Sequence, residues 1–453
     1  MKIKIFTFFL SLSLFTIIGN TLTAQVFSPV ANGVNNDVFA LKVFNNNLYL
    51  GGIFTECYGN DTIVSPMLAK YNGSSFDSSG IDGWSGGGVT NFYVNNTDLF
   101  VAGDFSLPFD SIRGINNIIK FNGTWGDTTY SLNNTVNCMI NYHGNLYAGG
   151  TFHAADSGAV NYIAKWDTAS HHWKNVSIGT TNGEVKAFEI FNDRLYAAGN
   201  FTLIDGVAAN YISRWNDTVW QPIGLGVIGS VSALKTYDTM LYAGGDFVLQ
   251  GVDTVNHIVA LDAHDVWHKL GNGMGADPTA TVTCFEVHNF LLYIGGNFNE
   301  TSAAPGNAIV SWNGTAFTRL NNGINASNGV VYALQSWNNS LYIGGSFVVA
   351  DSIAVNNICK YDAPAGISET KSNVFVQTFP NPASKNINFN IHFNDHAALN
   401  GCMIINDIVG RQVMTAAIHQ GLNTIDIKTL SKGIYIYTIN NNINSCQGKF
   451  IVE

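Results

Sequence analysis

At 453 residues, with a formal net charge of -10, 11% charged residues, 46% hydrophobic ones and 46 glycines, the chain is longer than one ordinary compact domain and much poorer in charge than the roughly 25% usual in globular proteins. No clustered Lys/Arg footprint occurs, which excludes a general nucleic-acid binder. Few charges with many glycines and aromatics point to extensive β structure rather than helices.

The first 24 residues stand apart. Lys2 and Lys4 precede an apolar run from Ile5 to Ile18, and small residues follow up to Thr23 and Ala24. A cleaved secretory signal peptide (1–24) is expected, with the mature chain starting near Gln25. The run is shorter than the roughly 20 residues that span a bilayer, and no later segment is apolar enough, so no membrane span is expected in the mature protein.

From Leu48 a motif of leucine, aromatic and paired small residues ending in phenylalanine recurs seven times, beginning at Leu48, Leu99, Leu146, Leu195, Leu241, Leu292 and Leu341. The best-formed copy is LYAGGDF (Leu241 to Phe247). The copies are 46 to 51 residues apart, the period of propeller blades. A second landmark keeps step with the first: NYIAKW ends at Trp166, NYISRW at Trp215, NAIVSW at Trp312 and NNICKY at Tyr361.

Each unit parses into four short strands, as in Val231 to Tyr237, Leu241 to Phe247, the YISRW type, and Trp220 to Val227. Pairs such as Asn338-Asn339 and Asn192-Asp193 mark tight turns. A single four-stranded sheet cannot bury both its faces, so neighbours must stack, and radial stacking protects their edges. The glycine pair in the second strand is expected to admit a neighbouring backbone or a large aromatic. A phosphate-cradling role lacks the strand-to-helix turn and the GK[ST] it needs.

The seventh unit runs into Ala363-Pro364-Ala365 without a fourth strand, whereas Val26 to Val34 (VFSPVANGV) aligns without a gap to Val219 to Val227 (VWQPIGLGV). Residues 25–34 are therefore expected to complete the last blade of an all-β, seven-bladed β-propeller occupying 25–364. With hydrophobic-Gly-Gly in the second strand, as in LYAGG at 146 to 150 and 241 to 245, and the pair Trp166 and Trp173, the chain resembles the kelch-like group of propellers.

From about residue 365 the repeat stops. Three strand-like segments (Met403 to Val413, Asn423 to Ile439 and the terminal GKFIVE) suggest a small C-terminal β-sandwich over 365–453. Its motifs are Phe379, Pro380, Asn381 and Pro382 in FPNPA, the Asp407-x-x-Gly410-Arg411 turn, Gly433 and Tyr435 in LSKGIY, and Lys449 in the terminal KFIV. These resemble the type A sorting domain of the type IX secretion system. The resemblance implies export across the outer membrane, that secretion machinery as a partner, and a destination outside the cell or on its surface.

Cys138 and Cys284 each lie eight residues before the leucine of their repeat, where other units carry Ala40, Ala187, Ala233 and Ala333. Free core thiols are expected there, while Cys402 and Cys446 share the C-terminal region and could pair. No CxxC pair points to zinc. Gly83-Trp84-Ser85-Gly86-Gly87 matches the catalytic-serine pattern but is expected to be a loop between blades, without the strand-to-helix elbow that chemistry requires. His171-His172 has no third ligand at metal spacing, and neither catalytic residues nor a cofactor is expected.

Six loops between second and third strands carry an aspartate: Asp61, Asp110, Asp156, Asp205, Asp253 and Asp351. On one face of a closed array they would surround a shared mouth able to hold a polyhydroxylated ligand or cation. Alternatively, each aspartate stabilises its own turn. The expected function is a non-enzymatic binding or adhesion scaffold for a glycan, a surface protein or matrix material. The rival is an extracellular carbohydrate-active enzyme whose site lies in the central channel.

Overall fold

The computed structural model describes residues 26–453 other than 82, 96, 109–113, 127–130, 156–157, 177–180, 225, 250–254, 276, 290, 300–303, 325–328, 363–373, 381, 394–399, 408–410, 420 and 441–444. The expected signal peptide thus lies outside the described residues. The fold is all-β, and among the described residues no helix is long and apolar enough to cross a membrane. The chain divides into two compact units, Thr23–Pro364 and another that includes Ala365–Glu453.

Among its described residues the first unit holds seven four-stranded antiparallel sheets, numbered here by their first strands: Val38–Phe44, Ser85–Asn95, Val136–Tyr142, Val185–Phe191, Ile228–Tyr237, Thr281–His288 and Val330–Trp337. In sheets 1 to 6 the strands follow one another in chain order. Sheet 7 runs Val330–Trp337, Ser340–Ser346, Ile358–Asp362 and then Val26–Pro29, so its outermost strand comes from the opposite end of the unit. The first strands touch in cyclic order, each against the next and the seventh against the first.

Tight turns join first to second strands where both central residues have positive φ, as at Asn45 and Asn46 (46° and 57°), Asn192 and Asp193 (48° and 58°), and Asn338 and Asn339 (47° and 64°). Asparagine and aspartate tolerate this conformation, which matches the twist of the flanking strands.

The recurring motif is accounted for by two irregularities in every sheet. Each first strand bulges one residue after a fully buried valine (Val38, Val89, Val136, Val185, Val231, Val282 and Val331). The bulge swings the carbonyl before that valine across the second strand. A Cβ on the second residue of the motif's pair would land on that carbonyl, Asp37 O for Gly52 and Thr281 O for Gly296. All seven units have glycine there: Gly52, Gly103, Gly150, Gly199, Gly245, Gly296 and Gly345. The first residue of the pair instead faces the next sheet: Gly51 packs on Val89 and Phe92, Gly244 on Val282 and Phe285, and Gly344 on Val38. Alanine replaces this glycine at Ala102 and Ala198, so the constraint is looser there.

The second irregularity is a left-handed residue entering each third strand, for example Met67 (φ 61°), Tyr211 (φ 69°) and Asn357 (φ 60°). Its carbonyl accepts the N–H of the second glycine, and its N–H donates to the carbonyl of the motif's phenylalanine, as in Gly199 N to Tyr211 O and Tyr211 N to Phe201 O. That phenylalanine is buried in all seven units. Third and fourth strands carry directly opposed large side chains at or next to one end: Tyr71 with Phe76, Phe121 with Trp125, Trp166 with Trp173, Trp215 with Trp220, Leu261 with Trp267, Trp312 with Phe317, and Tyr361 with Phe27.

Three details differ from the sequence-based expectation. The fourth strand of sheet 4 stops at Pro222, because positive φ at Gly224 and Gly226 turns the chain out of the sheet. The Gly83 to Gly87 run is not wholly a loop: Ser85 opens the first strand of sheet 2, and its hydroxyl donates to Ser106 O at 3.3 Å. Short two-stranded ribbons also occupy several connections between second and third strands, such as Glu56–Tyr58 with Thr62–Val64 and Val349–Ala350 with Ile353–Ala354.

In the C-terminal unit the sequence suggests three strand segments and the structure has seven among its described residues. A three-stranded sheet (Val374–Phe379, Asn386–Phe393, Gly421–Asp426) and a four-stranded one (Gln412–His419, Asn400–Asp407, Gly433–Asn440, Ser445–Val452) share one core. Phe389 and Ile391 from the first meet Met403, Ile405, Tyr437 and Phe450 from the second. Cys402 is a free, exposed thiol. Register places Cys402 opposite Asn440 and Cys446 opposite Ile439, so strand Gly433–Asn440 lies between the two cysteines. Two strand spacings amount to about 10 Å between backbones, beyond the span of a disulfide.

Candidate functional site

A cavity of about 490 Å³ opens between the first strands, and all seven of them line it. The bulges set its chemistry, because each one frees a valine carbonyl for a new partner. Thr90 Oγ1 donates to Val136 O at 3.0 Å, Asn137 Nδ2 to Val185 O at 3.1 Å, and Thr283 Oγ1 to Val331 O. In these three sheets the bulge residue thus satisfies the carbonyl freed in the next.

One wall of the cavity is polar. Glu184 accepts from Asn137 Nδ2 at 2.8 Å and from Asn200 Nδ2 at 2.9 Å, and Lys186 Nζ donates to Ser230 Oγ at 3.1 Å. Across the cyclic order, the bulge residues of sheets 1 and 7 are aromatic. Phe39 and Tyr332 meet edge to face at 5.3 Å and 76°, a favoured geometry for such rings. Burial, and secondarily the nearby Asp37, raise the Tyr332 hydroxyl above its ordinary pKa.

Three residues beyond each bulge lies a row containing Lys42, Glu189, Lys235, Glu286 and Gln335. Lys235 Nζ is 3.3 Å from Glu286 Oε2, while Glu286 Oε1 accepts the Ser336 N–H at 3.1 Å. Glu189 accepts from the backbone N–H of Thr236, one residue past Lys235 in the next sheet, while the Thr236 hydroxyl donates to Ile190 O at 2.9 Å; burial raises the Glu189 pKa against the pull of Lys235. Lys42 is shifted downward, chiefly by burial and also by Lys235, with Glu286 opposing. Cys138 and Cys284 line the same cavity as free thiols, both pushed up by burial, Cys284 to about 12. Among the described residues no three His, Cys, Asp or Glu side chains come together as metal ligands.

The loop aspartates are placed less uniformly. Asp61, Asp205 and Asp351 each occupy the turn of a two-stranded ribbon, on sheets 1, 4 and 7. Asp61 is exposed and borders a second cavity of about 410 Å³ with Asn32, Ser74 and Phe76. Asp351 is tied down: it accepts from Asn321 Nδ2 and Asn322 Nδ2, both at 2.9 Å, and from Asn322 N at 3.2 Å. Asp110, Asp156 and Asp253 lie outside the described residues.

The sequence reading overlooked a set of asparagines that anchor the ribbons. Asn35 Oδ1 accepts from Thr55 N and Glu56 N, Asn133 Oδ1 from His153 N and Ala154 N, and Asn182 Oδ1 from Thr202 N and Leu203 N, all at 2.8 to 3.1 Å. The signal was present, since each asparagine stands three residues before a bulge valine.

In the C-terminal unit, Ala383 of the FPNPA segment clasps the last strand: its N–H donates to Ile451 O at 2.8 Å and its carbonyl accepts from Glu453 N at 3.0 Å. Phe379 ends the strand before this clasp, and Pro380 and Pro382 are exposed. Asp407 closes its turn by accepting from Arg411 N and Arg411 Nε, both at 3.0 Å. Tyr435 donates to Ser431 O at 2.8 Å and stacks on Phe450. Gly433 opens that strand opposite Val452, and the exposed Lys449 lies opposite Ile436. Asn381 and Gly410 lie outside the described residues.

Residues 377–453 match the secretion system C-terminal sorting domain. The chain therefore carries a type IX sorting domain, which makes the secretion machinery a partner and directs the protein to the cell surface or the medium. No curated protein matches the sequence. Among solved structures the chain is similar to PorZ of Porphyromonas gingivalis, described as an essential surface component of the type-IX secretion system, with a TM-score of 0.43 and 14% identity over 94% of this chain. The chain spans 61% of the PorZ length. It is also similar to the extracellular domain of the putative one component system BT4673 from B. thetaiotaomicron, with a TM-score of 0.39 and 10% identity, covering 92% of this chain and 68% of that one.

Proposed function

We propose that the seven sheets form a closed, kelch-like seven-bladed propeller, and that this exported propeller is a non-enzymatic binding or adhesion scaffold for a glycan or surface protein. The observation that carries the proposal is the cyclic order of first-strand contacts around a cavity polar on one wall and aromatic on the other. Such concave sites with a few placed polar groups are the usual form of a ligand pocket. Both row carboxylates, Glu189 and Glu286, are committed to hydrogen bonds with the next sheet, which favours binding over acid-base chemistry.

The test is a panel of neutral and acidic polysaccharides and purified surface proteins presented to the secreted protein, with product release followed in parallel. Saturable binding without turnover is expected. Hydrolysis or oxidation of any panel member, or no binding across the panel, discards the scaffold assignment in favour of a carbohydrate-active enzyme or a purely structural component.

A further inference from the structure

The row's charges are even in number, Lys42 and Lys235 against Glu189 and Glu286, but they are not evenly paired. Lys42 and Lys235 occupy the same row and both face Glu286, whose two oxygens are already engaged by Lys235 Nζ and Ser336 N. Among the described residues no carboxylate lies within 4.0 Å of Lys42 Nζ. A half-buried ammonium with no carboxylate within ion-pair distance is open to an anion from solution.

The surroundings of Lys42 narrow the choice of anion. Three residues earlier on the same strand stands Phe39, paired with Tyr332, and both rings are half-buried at the cavity wall. Flat aromatic surface suits the C–H face of a sugar ring, and the wall of Asn137, Glu184 and Lys186 offers donors and acceptors to hydroxyls. At about 490 Å³ the cavity falls among small-ligand sites.

We propose that this cavity binds a carboxylate-bearing pyranose, with the carboxylate on Lys42 and the ring against Phe39 and Tyr332. The assignment rests on the scaffold function above and specifies its ligand. Recognition then has two separable parts, a charge at Lys42 and a stacking surface at Tyr332.

The experiment titrates full-length protein with methyl glucuronide, methyl galacturonide, methyl glucoside and acetate by calorimetry. At least one uronide should bind saturably and at least tenfold more tightly than the glucoside or acetate. Lys42→Gln should weaken uronide binding at least tenfold and leave the glucoside unchanged, and Lys42→Arg should retain it. Folding of the Gln variant is supported by Gln335, which occupies the same row in sheet 7, and is checked by its melting curve. Tyr332→Ala should weaken uronide and glucoside together. Equal binding of glucoside and uronide, no effect of Lys42→Gln, or no uronide binding at millimolar concentration overturns the inference. If polysaccharides still bind in the last case, only the ligand assignment fails and the scaffold function stands.

Discussion

Replacing Phe27 by alanine tests the junction between the two ends of the first unit. Phe27 is fully buried, opposite Tyr361 in register, with ring centroids 5.0 Å apart. It packs in the cluster that holds Leu320, Ile324, Leu341 and Phe347. Exposing a phenylalanine costs about 1.5–3 kcal/mol in transfer alone, and the cavity left behind raises a Phe→Ala change to about 3–5 kcal/mol. The neighbouring Val26 is 43% exposed, so Val26→Ala should cost no more than about 0.5 kcal/mol. Urea denaturation of both variants, with amide hydrogen exchange of Ile358–Asp362, measures the difference. The loss should be largest on that third strand. A Phe27→Ala cost near that of Val26→Ala would refute the argument that this side chain fastens the last sheet.

A Cβ at Gly52 meets the Asp37 carbonyl, whereas one at Gly59 meets only the Asp61 carbonyl at 3.6 Å, an ordinary contact. Gly52→Ala should lose about 1–3 kcal/mol and Gly59→Ala should be neutral or gain up to about 1 kcal/mol, as read from thermal melts of the two variants. Asp351→Ala removes three hydrogen bonds to Asn321 and Asn322 and should cost about 1–3 kcal/mol; Asp61→Ala, at an exposed turn, should stay within about 0.5 kcal/mol. The reverse order in urea titrations would remove the structural account of Asp351. His143 sits with Nε2 3.1 Å from Asp193 and Nδ1 3.5 Å from Asp217, and the hydrogen bond to Asp193 is the main cause of its raised pKa. Its folded value lies above the unfolded ~6.5, so its contribution to stability is complete below about pH 6.5 and fades as pH rises through the higher folded value. NMR titration should find that higher value and see it fall in Asp193→Asn; a midpoint at or below 6.5 contradicts the ion-pair geometry.

Strands, turns and period were readable because they depend on local pattern. Alternation around Leu241 to Phe247 fixes a strand, and Asn338-Asn339 fixes a turn whatever surrounds it. The bulges were not readable, since one extra residue after Val38 or Val185 looks like ordinary variation until its partner strand is known. The glycine pair was understood only halfway: close approach was expected, but the first glycine meets another sheet and the second meets its own. The row of Lys42, Lys235 and Glu286 escaped notice for a different reason. Those residues are separated by dozens of positions in the sequence, and only the cyclic order of the first strands brings them together. Loop position alone does not separate Asp351 from Asp61, because the neighbours that distinguish them, Asn321 and Asn322, belong to the preceding sheet.

The partnership of Val26 with Asp362 sets an order of events. The strand Val26–Pro29 is made early and has nowhere to go until Ile358–Asp362 exists, so an incompletely delivered chain keeps a bare backbone edge on its last sheet. Joining such distant segments is slow when it must happen first and easy once the intervening sheets have brought the ends together. A chain that ends before residue 358 therefore leaves its first strand without a partner, however well the six earlier sheets have formed.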